Sequence, residues 1–572
     1  MAFIIKKKIG GREYYYLNEN KRVLGKVKTK TLAYLGKNRK EAERKAKEII
    51  IRLEKEKNAN NKKIKIEKKV NDKEAHNVDI PDNLSIKKEL SMPISIEELA
   101  TFCKRKGFVY QTAEIYGGLA GFWDYGHLGV ELKNNIKSEW WKFHVLQRED
   151  VVGIDGAIIT NPKVWEASGH VANFIDVFVV NKKTKEKFKV DRFEAEKYGK
   201  NPEFEVKGEF NPMFTTQIGP VSSDSIKAYL RPETAQLIFA NFKNVYENAR
   251  LKLPCGIAQI GKSFRNEIAP RDFLFRAREF EQMEIEYFIK KDTKCPHKIS
   301  DGEILVYSAE NQRQNKEPIK MKIKEALNKE IIKKDWHAYW LATAFKWFID
   351  LGANPEKFRI RQHIPEELSH YSSDTWDLEY KFPFGWKELE GVADRGNFDL
   401  SQHEKFSGKD LKIFDEESKE KILPEVICEP SLGVERAFLV FMLDSYIYDK
   451  ERENVVLRLN PKLAPIKAAV FPIVKGEKFE EIAENIVKSL KEEWNIIYDK
   501  SGSIGRRYAR ADEQGTLYCI TIDEESIKNK DITIRERDTK KQVRVKITEL
   551  KDILRKLIEN PEKFDKFGKI FG

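Results

Sequence analysis

Residues 264–280 read FRNEIAPRDFLFRAREF. Arg265 and Arg276 stand where a core strand would carry Val or Ile, and Pro270 interrupts the stretch between them. The spacing predicts a strand, a loop and a returning strand. A buried arginine is costly unless it meets an anion, and its planar fork suits phosphate oxygens. Phe280, four residues past Arg276, is placed to stack on a base. A pocket for a nucleoside triphosphate is one reading of this hairpin. An exposed hairpin with ion pairs to Glu267, Glu279 and Glu281 is the other, and the stretch alone leaves both open.

The chain around it is long. Its 572 residues exceed what one core accommodates, so three or four domains are expected. No run of about 18 apolar residues occurs, so no membrane-spanning helix is expected. The N-terminal MAFIIKKKIGGREYYYL turns basic and aromatic too soon for a secretory signal, and the cytoplasm is the expected compartment. Five cysteines (103, 255, 295, 428 and 519) form no CxxC pair, so neither a disulfide framework nor a structural zinc is expected. Cys295 and His297 are a lone pair of potential ligands. The net charge of +13 is localised: residues 1–90 hold 26 Lys and Arg against 13 Asp and Glu, and the rest of the chain carries 79 of each. A balanced body with one basic appendage points to a polyanion contact there.

Residues 1–58 read as a small β-β-β-α module. AFIIKKKI, a Gly10-Gly11 turn and REYYYL predict a hairpin, VKTKTLAYLG a third strand, and 37–58 a helix with Ala42, Ala46, Ile49, Ile50 and Leu53 on one stripe. The module loosely resembles the basic strand-rich arms of some integrases and transposases. Arg12, Lys26, Lys28 and Lys30, interleaved with Tyr14 to Tyr16, are its candidate nucleic-acid contacts. Residues 59–92 lack periodicity and read as a linker. Residues 128–147 predict an amphipathic helix with Leu132, Ile136, Trp140 or Trp141, and Val145 inward. A strand broken by Pro162 follows. Residues 292–372 are Lys-rich and read as an insertion, not as core. From Pro461, strand and helix alternate over about 100 residues, which predicts a separate α/β domain with a mixed sheet.

A second cationic position supports the first. EPSLGVER (429–436) sets Arg436 at the opening of a helix, after a strand and Gly433. The glycine lets the backbone approach a ligand, and the helix start adds partial positive charge. AFLVFML follows, so Arg436 has apolar neighbours and needs a partner. Glu233, Glu284, Glu388 and Glu429 lie in similarly apolar contexts. Singly each reads as an ion-pair partner; jointly they read as a site for an ammonium group and a divalent cation.

At these residues the chain resembles the class II aminoacyl-tRNA synthetases. FRNE…RAREF resembles their motif 2, GVER with its apolar helix motif 3, and the 128–147 helix with the strand ending at Pro162 the dimerising motif 1. EIYGGLAGFWDYG, NNIKSEWW, NPKVWEASGHV, RPETAQ, GIAQIGKSFRNE, REFEQMEIEYF, ELSHYSSDTWD, GVADR and EPSLGVER are similar to the dimeric glycyl-tRNA synthetases. GSIGRRYARADEQGT is similar to the anticodon-binding domain of that family. The resemblance spans about 93–572. It implies an antiparallel-sheet catalytic core flanked by helices at 93–291 and 373–460, interrupted by 292–372, and an α/β anticodon-binding domain at 461–572.

The resemblance also implies roles. Arg265 would hold the α-phosphate of ATP and stabilise charge as glycine attacks. Asn266 would lie in the same ATP site, and Glu267 would meet the adenine amino group. Phe280 would stack on adenine and Arg276 would face the γ-phosphate. Arg436, beside Gly433, would bind the bent triphosphate. Glu388 and the Leu389 backbone would hold ATP with Mg2+. Glu233, Glu284 and Glu429 would surround the glycine ammonium, with Ser431 in the same pocket. Implied partners are tRNA(Gly), glycine, ATP and a second copy of the chain; none is a membrane. Two departures stand out. His127 replaces the proline of the family's DYGPLG turn, and NKKTKEKFKVDRF (181–193) lacks the cysteines many bacterial members carry there.

Overall fold

The computed structural model describes residues 2–9, 12–23, 26–36, 46, and 94–570 apart from 186, 191, 221–224, 370, 417 and 560–563. Two compact units divide at Leu90 and Ser91. In the first, β1 (Ala2–Ile9), β2 (Arg12–Val23) and β3 (Lys26–Gly36) form an antiparallel sheet in sequence order. Ile9 pairs with Arg12, the register of a hairpin joined by Gly10 and Gly11. The helix expected at 37–58 and the linker at 59–92 lie outside the described residues, apart from Ala46, which is helical.

The second unit opens with α1 (Ile96–Lys106) and α2 (His127–Trp141). Ser95 and Glu98 form a reciprocal capping box at the start of α1. Leu128, Leu132, Ile136 and Trp140, four residues apart, put one stripe of α2 into the core. Gly129 lets α2 press onto the backbone that follows α1: a Cβ there would lie 1.9 Å from the Phe108 carbonyl oxygen. Pro162 does not break a strand as expected; it opens a short helix, Pro162–Ala167, capped by Asn161. Its missing N–H is one of those a helix start leaves unused.

A nine-stranded sheet carries the rest. Its strands are β4 (Val151–Gly153), β5 (Cys255–Phe264), β6 (Glu279–Ile289), β7 (Glu303–Tyr307), β8 (Ile319–Lys322), β9 (Phe358–Gln362), β10 (Asp374–Phe382), β11 (Gly385–Asp394) and β12 (Glu425–Gly433), in spatial order β8-β7-β9-β10-β11-β12-β6-β5-β4. All neighbours are antiparallel except β4 with β5 and β7 with β9. Helices α3 (Ala235–Asn248), α4 (Asp335–Asp350), α5 (Phe398–Ser407) and α6 (Val434–Ser445) cover it. Strand β6 is central. Met283, Ile285 and Tyr287 enter the main core, whereas Phe288, on its other face, packs with Phe239 and Phe242 of α3. Burial on both faces is why the strand reads as apolar and acidic at once.

The expectation of an insertion outside the core at 292–372 is corrected. Strands β7, β8 and β9 extend the main sheet, and α4 buries Trp336, Trp340 and Trp347 in the main core. The lysines of the segment lie largely on its connections, while α4 is apolar and buried over most of its circumference, with Lys346 and Asp350 exposed near its end. The C-terminal part is a mixed six-stranded sheet: β13 (Ala468–Pro472), β14 (Ile496–Tyr498), β15 (Tyr518–Ile522), β16 (Asp531–Glu536), β17 (Gln542–Lys546) and β18 (Lys569–Ile570), ordered β14-β13-β15-β16-β17-β18. Helices α7 (Glu477–Leu490), α8 (Ile504–Gln514) and α9 (Leu550–Glu559) accompany it. Arg537 ties it to the chain preceding it by donating to the Leu459 carbonyl at 2.9 Å.

Trp340→Ala removes a fully buried indole from α4. Denaturant unfolding followed by tryptophan fluorescence is expected to show a loss of about 3–5 kcal/mol. An unchanged midpoint would mean that α4 is peripheral after all.

Candidate active site

Strands β5 and β6 form the expected hairpin, with Phe264 opposite Glu279, Ser263 opposite Phe280 and Gln259 opposite Glu284. A cavity of about 380 Å³ opens against β6, β11 and β12. Arg265, Glu267, Arg276, Phe280, Glu388, Leu389, Gly433 and Arg436 line it, and so do Glu233, Glu284, Glu429 and Ser431. Asn266 is the exception. It is not among the lining residues, and its backbone N–H donates to the Pro212 carbonyl at 2.7 Å.

One end of the cavity is cationic. Arg265 donates its Nε to the Pro232 carbonyl at 2.9 Å, and its guanidinium carbon lies 5.5 Å from the Phe280 ring centre. The side chain is thus braced by its Nε, with both Nη groups beyond the brace. Arg436 lies 4.6 Å from the Phe275 ring centre, donates to the Glu388 carbonyl at 2.9 Å and pairs with the Glu388 carboxylate at 3.3 Å. Arg436 in turn holds the Glu388 carboxyl below its ordinary range against the effect of burial. Glu267 also lines this end, and one of its carboxylate oxygens is buried without a hydrogen-bond partner.

The other end is a buried acidic chamber. Glu233 sits just before α3, pairs with His170 Nε2 at 3.2 Å and accepts from Gln236 at 3.2 Å. Glu284 accepts from the Thr234 hydroxyl. Both oxygens of Glu429 accept from Arg395 Nη1 at 2.9 Å. Ser431 accepts from Gln282 at 3.2 Å. Burial raises the Glu233 carboxyl, but His170, Arg395 and Arg265 together pull it well below the ordinary range. Burial and then Glu233 push Glu284 up, against hydrogen bonds from Thr234 and Ser431. Burial pushes Glu429 up to about 8, with Arg395 opposing and Glu284 and Glu233 adding to the rise. The chamber carries more carboxylates than its cations neutralise, so a ligand cation is what it favours.

Several residues of this chamber carry no role in the sequence reading. Arg395 is fully buried and donates to Asp399 at 2.7 and 2.8 Å as well as to Glu429. Its guanidinium carbon lies 3.8 Å from the ring centre of Tyr371, another lining residue. His170 is held by Ser168 at 2.8 Å on its second nitrogen. Each lies in a quoted string (GVADR, ELSHYSSDTWD, NPKVWEASGHV). The available signal for Arg395 is the one used for Arg436: an arginine at the end of an apolar strand. Cys295 and His297 do not converge: the cysteine sulfur faces the His297 backbone carbonyl at 4.0 Å, while the imidazole lies 3.3 Å from Asp150.

Residues 467–557 match the family of anticodon binding domains. Over 490 residues the chain is 42% identical to a glycine–tRNA ligase of Thermobifida fusca, an alignment covering 80% of this chain and 97% of that one. The chain belongs to the glycine–tRNA ligase family. Ligases of the family from Borrelia hermsii and Borreliella burgdorferi are also 42% identical, covering 82% and 83% of this chain and 98% and 100% of theirs. In fold it is similar to a crystal structure of prolyl-tRNA synthetase from Cryptosporidium parvum complexed with halofuginone and AMPPNP, with a TM-score of 0.50, 16% identity, and 81% and 75% of the two chains covered. The hairpin and the acidic chamber of this ligase family member thus lie in a synthetase fold.

Removing Arg395 strands two buried carboxylates. Arg395→Leu is expected to cost about 3–5 kcal/mol in urea unfolding, and Arg395→Lys to recover only part of it, because an ammonium cannot span both partners. Full recovery with Lys would show that only the charge matters.

Proposed function

We propose that this cavity carries out both steps of glycine–tRNA ligation, and the observation that carries the reading is its polarity: arginines at one end, buried carboxylates at the other. ATP enters the cationic end. Phe280 stacks on adenine, Glu267 accepts from its amino group, and Arg276 and Arg436 hold the triphosphate against Gly433 and Leu389. Arg265 binds the α-phosphate. Glu233, Glu284 and Glu429 take the ammonium of glycine, with Ser431 beside them. An ammonium in this chamber meets partly desolvated carboxylates, where attraction exceeds its value in water.

Held so, the glycine carboxylate attacks the α-phosphorus. A carbon-bound oxygen forms a new bond to phosphorus, the bond to the β-phosphate oxygen breaks, and pyrophosphate leaves. Arg265 stabilises the charge that gathers on the phosphoryl oxygens. A hydroxyl of the terminal ribose of tRNA(Gly) then attacks the glycyl carbonyl, and AMP leaves. No side-chain nucleophile takes part; positioning supplies the acceleration. Glu388 has the character to hold Mg2+: it is half-exposed in the cavity beside the triphosphate end, and Mg2+ commonly takes one or two carboxylates plus phosphate oxygens. When bound, the ion would screen the phosphate charges. Glycine has no side chain to grasp, so selectivity falls to steric exclusion of larger amino acids.

The anticodon-binding domain supports tRNA as the partner. In α8, Arg506 is exposed and available to RNA, whereas Arg507 is buried and donates to the Pro472 and Gly502 carbonyls. A homodimer is supported by the exposed Ile115 and Tyr116, at 87% and 86%, on the chain leading into α2. The cytoplasm is the compartment this reading assigns, since ATP and tRNA are the substrates.

Glycine-dependent pyrophosphate exchange tests the reading, and its absence in folded enzyme would sink it. Glu284→Ala is expected to raise the glycine KM at least about tenfold with the ATP KM within about threefold. Equal effects on both would assign Glu284 a structural role. For the first unit, deletion of residues 1–58 is expected to weaken tRNA binding and flatten its salt dependence, with glycine activation kept. An unchanged tRNA KM across salt would leave the arm without a tRNA role.

A further inference from the structure

The register that sets Glu284 of β6 against Ser431 of β12 also sets Tyr287 against Cys428. Between these pairs it brings Glu286 opposite Glu429, on the same sheet face as Glu284. Glu286 is fully buried, and neither of its carboxylate oxygens has a hydrogen-bond partner. Oxygens of Glu284, Glu286 and Glu429 lie within 4.8 Å of one another. Like charges directly opposed across adjacent strands are destabilising, and a buried carboxylate without a partner is more so. The surroundings do not neutralise it. Arg395 is the nearby cation, and its nitrogens are engaged by Asp399 and Glu429. Asp399 and Glu284 add negative charge of their own. A proton is what satisfies the pair.

We propose that Glu286 is a positioning residue of the amino-acid chamber: it holds a proton and donates it to Glu429, so that the two carboxyl groups carry one negative charge and Glu429 stays in place beside the ligand. The proposal rests on reading the chamber as the glycine site. Burial raises both carboxyl groups, but Arg395 bonds Glu429 directly and leaves Glu286 as the member of the pair that keeps the proton. Burial first, then repulsion from Glu429, pushes the Glu286 carboxyl well above its ordinary range, against the pull of Arg395. An acid whose folded-state pKa is raised keeps its proton at neutral pH and loses it as pH rises through the raised value. The loss places a second negative charge between β6 and β12 and drives Glu429 from its position. Glycine binding therefore weakens on the alkaline side for a reason separate from the titration of glycine itself.

The test uses the full-length enzyme and pyrophosphate exchange between about pH 6 and pH 9, with glycine and ATP varied separately. Glu286→Gln is neutral at every pH, and its amide donates where the proton did. The glutamine variant is expected to keep the glycine KM near neutrality within about threefold of the parent and to lack part of the parent's alkaline rise. Glu286→Ala is expected to raise the glycine KM at least about tenfold with little change for ATP. Infrared spectra at neutral pH should show a protonated-carboxyl band that Glu286→Gln removes. A glutamine variant as impaired as the alanine variant, an unaltered alkaline limb, or no difference in the carboxyl band would each overturn the proposal. Glu284→Ala, measured alongside, separates the two levels. Equal effects on glycine and ATP there would defeat the glycine-site reading. A selective glycine effect there, together with failure of Glu286→Gln, would defeat only the shared proton.

Discussion

Glu233, Glu284, Glu286, Asp399 and Glu429 are all buried around a sheet face in which Arg395 is embedded. Removing that much charge from water is unfavourable unless each carboxylate is paired, hydrogen-bonded or protonated. The structure uses all three solutions. Arg395 serves Asp399 and Glu429, hydroxyls and His170 serve Glu284 and Glu233, and Glu286 is left for a proton. Much of the surrounding architecture follows from this demand. Helix α3 starts where Thr234 and Gln236 reach the acids, and α5 starts where Asp399 meets Arg395.

The hairpin of β5 and β6 connects this chamber to the nucleotide end. Phe280, Gln282 and Glu284 share one face of β6, so the proposed adenine and ammonium contacts lie four residues apart on a single strand. Both faces of that strand are buried, one by the main core and one by α3, which fixes its register. In the proposed reaction, preorganisation of this kind would bring the two substrates together without a mobile side chain.

The hairpin, the helix that carries Arg436 and the α2 stripe were legible because each is local. Arginine in an apolar context, a four-residue apolar repeat and a loop with proline need only neighbours to be interpreted. Arg395 was missed because its burial comes from Tyr371 and Glu429, which are distant in sequence or on another strand. Residues 292–372 misled through composition. Lysine content suggested periphery, while the predominantly apolar α4 was the better guide.

The sequence by itself determined the elements, the family and the residue types of the site, because motif spacing and local periodicity are properties of the chain. Only the tertiary structure decided which acids share one chamber and how they divide the available protons and hydrogen bonds. That depends on register across β6, β11 and β12, where a one-residue slip would turn every acidic side chain to the opposite face. Charge in a low-dielectric space is set by what lies across the strand, and the chain order of those strands carries no record of it.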